Sequence, residues 1–423
     1  MNLIDRDKQV IWHPYTQMKN PVPPVPIIRG EGVYVFDEDG NRYIDAVSSW
    51  WVNIHGHSNK HIASKVAAQL LQLEHVIFAG FTHEPAVLLA ERLLPLLPGQ
   101  QQKVFYSDNG STAVEVALKM CLQYWVNAGE LKKKKVLAFK DAYHGDTFGA
   151  MSVSGRSIFT EAFNELLFEV EFIDLPCEEN IQELIDKVSH LSTTLACFIF
   201  EPLILGAGGM QMYEAKYLNQ LLLACEKHHV LTIADEVMTG FGRTGTYFAC
   251  EQLAEAKPDI FCLSKGLTGG TMPLGVTTCN QKIFDAFLSD DQLKTLYHGH
   301  SFTANPVACA ASLASMDILL EPQTLLNIKR IAGRHLDFSR QIKDHPKVRT
   351  VRQKGTIIAI EWENGNETSY LNTLRDRLYA YFLKRGIILR PLGNLIYILP
   401  PYIISDEDLD YIYKTIIEAL DDI

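Results

Sequence analysis

The sequence has few of the features that mark nucleic-acid-binding, membrane-spanning or secreted proteins. Its 423 residues carry 39 lysines and arginines against 50 aspartates and glutamates, which gives a formal net charge of −11. Nucleic acid and anionic membranes both require a basic face, so we expect neither as a partner. No apolar run reaches the roughly 20 residues that a membrane-spanning helix needs. The first residues, MNLIDRDKQVIW, also lack the apolar core of a signal peptide, and we expect a cytoplasmic protein.

Cysteine is thinly spread along the chain. The eight cysteines stand at positions 121, 177, 197, 225, 250, 262, 279 and 309, and no two of them form a C-x-x-C pair. Several lie within apolar runs such as LACFIF and DIFCLS, which is typical of small buried side chains in a reducing compartment. The sequence therefore predicts neither a disulfide scaffold nor a zinc site, and we expect no metal.

From about residue 100 the sequence alternates short apolar runs with helical patterns. The seven apolar runs are KVFYSD, VLAFKD, EVEFIDLP, LACFIFEPL, VLTIADEV, DIFCLSK and LGVTTC. Helical segments such as EAKYLNQLLLACEKH separate several of them. Near-continuous apolar strands between helices predict an α/β fold, with a mostly parallel seven-stranded sheet covered by helices on both faces.

The two ends of the chain have a different character. VYVFDEDGNRYID predicts a β-hairpin, and the part after residue 310 alternates helical patterns with the runs GTIIAIEWE, IILRP and LIYILPP. A hairpin needs neighbouring strands for stability. We therefore expect residues 1–45 to join a smaller α+β domain formed by residues 311–423, and residues 46–310 to form the large domain.

Polar residues follow most of the predicted strands. They are Ser107 to Thr112, then Tyr143, His144 and Asp146, then Glu201, then Asp235 and Glu236, and finally Lys265. The carboxyl ends of parallel strands lie along one edge of a sheet, where ligands of such sheets bind. We therefore expect these side chains to converge on one pocket.

Two of these positions allow both a structural and a functional interpretation. One helix begins with Asn109-Gly110-Ser111-Thr112. This start is either a plain N-terminal cap or a phosphate site formed by free backbone N–H groups. Asp235 follows the apolar VLTIA and needs a partner, which is either a salt bridge or cap, or a cationic ring nitrogen. The flat face of Tyr143 could stack on such a ring.

Lys265 ends the run DIFCLS and stands before the glycine-rich GLTGG. Its amine either extends to solvent, as most lysines do at strand ends, or is held against an electrophile that the glycines allow to approach. A phosphate site, a ring stacker, a carboxylate and a lysine are together the parts that pyridoxal phosphate requires. A dinucleotide site at GFGRTG is disfavoured, because Asp235 and Glu236 before it would repel a pyrophosphate.

Five motifs between about residues 104 and 312 resemble those of the class III aminotransferases, which are fold type I pyridoxal-phosphate enzymes. The motifs are DNGSTAVEVALKM, YHGDTFGAMSVSG, ADEVMTGFGRTG, LSKGLTGGTMPLGV and HGHSFTANPVACAA. The resemblance implies a pyridoxal-phosphate-dependent homodimer with shared active sites. It makes Lys265 the Schiff-base lysine, Asp235 the partner of the ring nitrogen and Tyr143 the ring stacker. Gly110 and Ser111 then bind the phosphate, together with Ser301 from the partner subunit.

Within that family, three further segments resemble the branch that converts 8-amino-7-oxononanoate to 7,8-diaminononanoate in biotin synthesis. They are WHPYTQMK, SSWWVNIHGH and RPLGNLIYILPPYI. This resemblance implies S-adenosyl-L-methionine as the amino donor. The implied substrate-binding residues are Tyr15, Trp51, Asp146, Gly299 and Arg390.

Several alternatives remain open at this point. The donor could be lysine, the enzyme could be another class III ω-aminotransferase, or the chain could bind the cofactor only as a regulator. Met238, where many members have glutamine, argues against the ornithine and γ-aminobutyrate branches, and HGHSF in place of HGPTF leaves the role of His300 open. Arg390 could bind a carboxylate through two of its N–H groups, or it could lie on the surface. Trp51 could attract a sulfonium cation or pack in the core.

Overall fold

The computed structural model describes residues 2–363, 372 and 374–423. Its largest sheet contains the seven predicted strands. In spatial order they are Gln101–Ser107, Gly275–Asn280, Ile260–Leu263, Leu231–Asp235, Leu195–Phe200, Lys135–Phe139 and Val170–Ile173. Gly275–Asn280 runs antiparallel to both of its neighbours, and the other neighbouring pairs are parallel. The predicted α/β fold with a mostly parallel seven-stranded sheet is confirmed.

The strands are apolar throughout because both faces of the sheet are covered. Every residue of Leu195–Phe200 is buried. Phe198 and Phe200 pack into one hydrophobic cluster, whereas Ile199 packs into another that includes buried residues of the helix Gly110–Asn127. Such a strand shows no apolar–polar alternation, since neither face contacts water.

Within the described residues, three smaller sheets accompany the large one. The predicted hairpin is present as Tyr34–Asp37 and Arg42–Asp45, flanked by Ile27–Glu31. Ile387–Ile388, from the far end of the chain, pairs in parallel with Arg42–Asp45. The other two sheets are Val348–Lys354 with Ile357–Trp362 and Leu395–Ile398, and Ile204–Leu205 with Gln211–Met212. The hairpin thus shares a sheet with the C-terminal part, while the division into domains at residues 45 and 310 stays a prediction.

Helices of different lengths connect the strands. The α-helices are Leu3–Val10, Ser48–Trp51, Lys60–Gln72, Glu84–Leu93, Gly110–Asn127, Phe148–Val153, Ile181–Leu191, Ala215–Lys227, Gln281–Asp285, Pro306–Leu319, Pro322–Ile342, Leu374–Lys384 and Asp406–Asp422. Short 3-10 helices are Leu94–Leu96, Glu161–Leu166, Ala249–Gln252, Lys265–Thr268 and Gln292–Lys294. The start of the helix predicted from SYLNTLRDRLYAYFLKRG lies outside the described residues. Among the helices described, none is both long and apolar enough to span a membrane.

Candidate active site

A cavity of about 720 Å³ lies at the carboxyl edge of the large sheet. Its wall contains the predicted site residues Trp51, Gly110, Ser111, Tyr143, Asp146, Asp235 and Lys265. These residues come from five separate places in the sequence, and the strand ends and one helix start bring them together. The expectation that the strand-end residues converge on one pocket therefore agrees with the geometry.

Lys265 follows the buried strand Ile260–Leu263 and has a left-handed backbone conformation, with φ +46°. Its Nζ lies 4.6 Å from the ring centroid of Trp51. Burial lowers the pKa of the Lys265 amine, Arg243 lowers it further, and Asp235 and Glu201 oppose the shift. Within the part of the chain that the structure describes, the amine makes no hydrogen bond or ion pair. A partly buried amine that is not tied to an acceptor suits a nucleophile or a base.

Asp235 ends the strand Leu231–Asp235 and is buried. Its Oδ2 lies 2.6 Å from Nδ1 of His144, and its Oδ1 accepts the N–H of Val237 at 3.1 Å. The side chain of His144 is fully buried, and its Nε2 has no partner among the described residues. The partner that the buried carboxylate requires is thus a histidine on the loop after the strand Lys135–Phe139.

Glu201 fixes the main chain beside the cavity. Its two carboxyl oxygens accept the N–H groups of Tyr143 and Gly206, each at 2.9 Å. Burial raises the pKa of Glu201 to about 7; nearby His144 lowers it and Asp235 raises it. The sequence indicated this residue as a strand end only, without a role, yet its contacts set the position of Tyr143.

The helix Gly110–Asn127 begins at the cavity wall. Asn109 is its cap, because the Asn109 side chain accepts the N–H of Thr112 at 2.9 Å. A Cβ on Gly110 would lie 2.6 Å from Val237, so only glycine leaves this approach of the backbone open. The first-turn N–H groups and the positive end of the helix dipole together make this wall of the cavity an anion site.

The hydroxyl of Ser111 belongs to a short hydrogen-bonded chain. Thr147 donates its hydroxyl proton to Glu115 Oε1 at 2.5 Å, because a carboxylate can only accept. Ser111 must therefore be the donor in its 2.7 Å contact with the Thr147 hydroxyl, and it accepts the N–H of Thr147 at 3.1 Å. This arrangement fixes the Ser111 oxygen at the start of the helix.

Tyr15 and Arg390 lie beyond the cavity wall, in an adjoining groove of about 650 Å³. The Tyr15 hydroxyl donates to Asp146 and lies 3.2 Å from the Tyr143 hydroxyl. Burial, followed by the hydrogen bond to Asp146, raises the pKa of Tyr15 to about 12. The Arg390 guanidinium stacks 3.9 Å from the ring centroid of Trp50. Tyr15 thus connects the groove to two residues that line the cavity.

Comparisons with known proteins identify the family. A model of the family described as aminotransferase class-III matches residues 15–420 of this chain. The chain belongs to the class III aminotransferases.

Individual members are similar to the chain over nearly its whole length. The adenosylmethionine-8-amino-7-oxononanoate aminotransferase of Synechococcus elongatus is 45% identical, covering 98% of this chain and 99% of its own. The crystal structure of the enzyme of that name from Methanocaldococcus jannaschii has a TM-score of 0.95 and 38% identity, with 99% of this chain and 98% of that chain covered. An omega transaminase from Pseudomonas jessenii in complex with PMP has a TM-score of 0.93 and 29% identity, with 100% of this chain and 98% of that chain covered.

Class III aminotransferases use pyridoxal phosphate, and the residues around the cavity fit that group. The helix start at Gly110 and Ser111 suits a phosphate. Asp235 offers a buried carboxylate, and the unpartnered, buried Nε2 of His144 lies behind it. Lys265 offers an amine whose pKa is lowered by burial. No group of His, Cys, Asp and Glu suited to a metal ion occurs in the described segments.

Two further predicted residues of this aminotransferase line neither the cavity nor the adjoining groove of their own chain. Gly299 and Ser301 are exposed on a surface segment. The main-chain carbonyl of Ser301 accepts a hydrogen bond from Nε2 of His75 at 2.5 Å. Their assignment to cofactor and substrate stays a prediction, since it requires the neighbouring subunit.

Sequence reasoning missed Arg243, which lies inside the GFGRTG segment. Its guanidinium is buried and donates to the carbonyls of Pro400 at 2.8 Å and Trp51 at 3.4 Å. The segment forms turns followed by the 3-10 helix Ala249–Gln252, without the α-helix that a dinucleotide fingerprint opens. An arginine within TGFGRTGTYF, which is otherwise uncharged, was the available signal.

Proposed function

We propose that this aminotransferase converts 8-amino-7-oxononanoate to 7,8-diaminononanoate in biotin biosynthesis, with S-adenosyl-L-methionine as the amino donor. The observation that carries the choice of substrates is the 45% identity to the Synechococcus elongatus enzyme of that name over nearly both whole chains. Transamination itself is supported by the cavity, where the Lys265 amine, the Asp235 carboxylate and a helix start form one wall.

Bound pyridoxal phosphate supplies an electron-withdrawing ring that stabilises the negative charge left when a proton leaves the donor carbon. Lys265 would bind the cofactor, and its Nζ, whose pKa is lowered by burial, would move a proton between the reacting carbons. Asp235, oriented by His144 and Val237, holds the ring nitrogen in its protonated form. Tyr143 stacks on the ring, with its main chain fixed by Glu201.

The substrate roles follow the chemistry of the two reactants. Arg390 binds the carboxylate of the keto acid with its guanidinium edge. Trp51 and Tyr15 present aromatic faces to the sulfonium of the donor. Asp146 holds the Tyr15 hydroxyl in place. Gly110 and Ser111 bind the phosphate.

We further propose a cytoplasmic homodimer in which Gly299 and Ser301 serve the site of the partner subunit. The exposure of both residues, away from the cavity of their own chain, supports this. The cytoplasm is supported by the cysteines, none of which is in a disulfide.

The test is an assay of purified holoenzyme with the keto acid and each donor in turn. Mass spectrometry should find 7,8-diaminononanoate with S-adenosyl-L-methionine, and the Lys265→Ala variant should make none. Product with lysine alone would instead identify the lysine-using branch. Turnover only with other ω-amines would point to another class III enzyme, and absence of turnover with any amine to a regulator.

A further inference from the structure

A strained turn carries two adjacent tryptophans into the site. Ser48, Ser49 and Trp51 have φ values of +50°, +62° and +71°, a region that residues other than glycine rarely adopt. Positive φ values at three positions out of four do not persist unless the surrounding structure holds them. The contacts of this turn therefore identify what maintains it.

The turn places its two rings on two different charged groups. The ring of Trp51 lies 4.6 Å from Nζ of Lys265, and the ring of Trp50 lies 3.9 Å from Cζ of Arg390. Lys265 is the proposed cofactor lysine, and Arg390 is the proposed anchor for the substrate carboxylate. A change in the conformation of the turn would move both contacts at once.

Asp45 accepts the hydrogen bonds that hold the turn in place. It ends the strand Arg42–Asp45, which is paired on both sides, and its carboxylate is 1% exposed. One oxygen accepts the Ser49 N–H at 2.8 Å, and the other accepts the Ser49 hydroxyl at 2.9 Å. The second oxygen also lies 2.9 Å from Nε2 of His57.

The tautomer of His57 follows from its other contact. The side-chain amide of Asn53 donates to Nδ1 of His57 at 3.1 Å, so Nε2 bears the proton and donates to Asp45. Three donors thus converge on one buried carboxylate. In Asp45→Asn, the side-chain NH₂ group would face at least one of these donors, and that hydrogen bond would be lost.

We propose that Asp45 is a positioning residue that determines how this enzyme binds its substrates. By fixing Ser49 in its positive-φ conformation, it sets the orientation of Trp50 and Trp51 against the two ends of the substrate. The identity of the substrates rests on the proposed function, whereas the structural role of the turn does not.

The test compares Asp45→Asn with Asp37→Asn in the holoenzyme. Asp37 is also buried, lies on the neighbouring strand and accepts hydrogen bonds from Asn41 and Tyr43, but within the described residues it makes no hydrogen bond to the turn Ser48–Trp51. Asp45→Asn should raise the KM for the keto acid by about ten-fold or more and change kcat less, because misplaced contacts weaken binding. Asp37→Asn should lower Tm without changing KM.

Ser49→Ala keeps the proposal testable if Asp45→Asn does not fold. It removes one of the two Ser49 donors, and should raise KM in the same direction by a smaller factor. The effects of Ser49→Ala and Asp45→Asn should be non-additive in the double variant. An unchanged KM in Asp45→Asn, or an equal rise in Asp37→Asn, would overturn the proposal.

A second readout separates this proposal from the proposed function. Near-ultraviolet circular dichroism of the tryptophans should change in Asp45→Asn and not in Asp37→Asn, whichever substrates the enzyme uses. Absence of turnover with the expected substrates would thus count against the function, and an unchanged tryptophan spectrum in Asp45→Asn would count against the role of Asp45.

Discussion

Arg390 is a cation with unused hydrogen-bonding capacity beside the site. Its guanidinium stacks on Trp50, and no hydrogen bond or ion pair to the described residues occupies its N–H groups. An arginine fork with free donors on an aromatic ring suits a carboxylate ligand. The backbone after it is restricted by Pro391, which limits the positions that the side chain can reach.

Arg390→Ala should weaken the binding of the keto acid. The loss of a charge-assisted contact costs about 2–4 kcal/mol, which corresponds to a rise in KM of about 30- to 1,000-fold. Kinetics of the two half-reactions should show whether the donor, which also has a carboxylate, is affected equally. Arg385→Ala is the matched control, because Arg385 also stacks on an aromatic ring, at 3.4 Å from Tyr381, but lies away from the cavity. If Arg390→Ala bound the keto acid with unchanged affinity, a residue other than Arg390 would have to bind the carboxylate.

Glu201 should make the stability of the cofactor-free protein depend on pH. Its pKa is about 7 in the folded state and near 4.5 when unfolded, because burial disfavours the ionised form. Between these values the folded state binds more protons than the unfolded state, so the free energy of unfolding falls as pH rises. The full loss is on the order of 3 kcal/mol, complete above pH 7.

Urea denaturation between pH 4.5 and 8 would measure this effect. Glu201→Gln cannot ionise, so its free energy of unfolding should fall less steeply with pH than that of the wild type. The exposed Glu226→Gln should give a curve parallel to the wild type. If the curve of Glu201→Gln were instead parallel to that of the wild type, the Glu201 carboxyl would not be the cause of the pH dependence.

At the scale of elements, the apolar runs predicted all seven strands of the large sheet because parallel strands are buried on both faces. They did not predict the direction of Gly275–Asn280, since an apolar run has no direction. The connection 264–274 does contain that information, because a crossover between parallel strands needs a dozen or more residues. The site was predictable only where its residues follow strands. Arg243 acts through contacts with distant segments, and Asp45 acts through a turn whose positive φ values the sequence pattern does not reveal.

The helix Gly110–Asn127 connects the cavity to a surface segment. Lys119, Gln123 and Asn127 are four residues apart and therefore share one face of the helix. They donate to the main-chain carbonyls of Tyr297 at 2.9 Å, Thr295 at 2.9 Å and Ala286 at 3.1 Å, respectively. The helix that begins at the proposed phosphate site thus also holds the segment that leads to Gly299 and Ser301.

Gln123→Leu should loosen that segment. Gln123 donates to the carbonyls of Lys294 and Thr295, and each lost hydrogen bond costs about 1 kcal/mol of local stability. Hydrogen exchange followed by mass spectrometry should show about 5- to 30-fold faster exchange in peptides covering residues 292–301, for the loss of one or both bonds. Gln72→Leu, at the exposed end of another helix, is the control. Equal exchange in wild type and Gln123→Leu would mean that other contacts hold the segment.

At the scale of the whole molecule, large apolar side chains are exposed around Gly299 and Ser301. Ile77, Phe81, Tyr297 and Phe302 are each at least 60% exposed. Their two segments adjoin, since Asn305 donates to the carbonyl of Glu74 at 3.1 Å and the rings of His75 and Phe302 lie 5.3 Å apart. A continuous apolar surface of this kind is typical of a subunit interface. Sedimentation should therefore find a dimer at assay concentration, and a fully active monomer would contradict the shared site.

Hybrid dimers can establish which subunit Ser301 serves. The first hybrid pairs a Lys265→Ala subunit with a Ser301→Ala subunit. Its only intact lysine belongs to the Ser301→Ala subunit, and the neighbouring subunit still supplies Ser301 to that site. In a dimer of wild type with the double variant, the intact lysine instead receives a loop that lacks Ser301. The second hybrid should bind the cofactor about 10- to 150-fold more weakly per intact site, because a hydrogen bond to a charged phosphate contributes about 1.5–3 kcal/mol. If Ser301 served its own subunit, the order of the two hybrids would reverse, and equal affinities would remove Ser301 from the phosphate site.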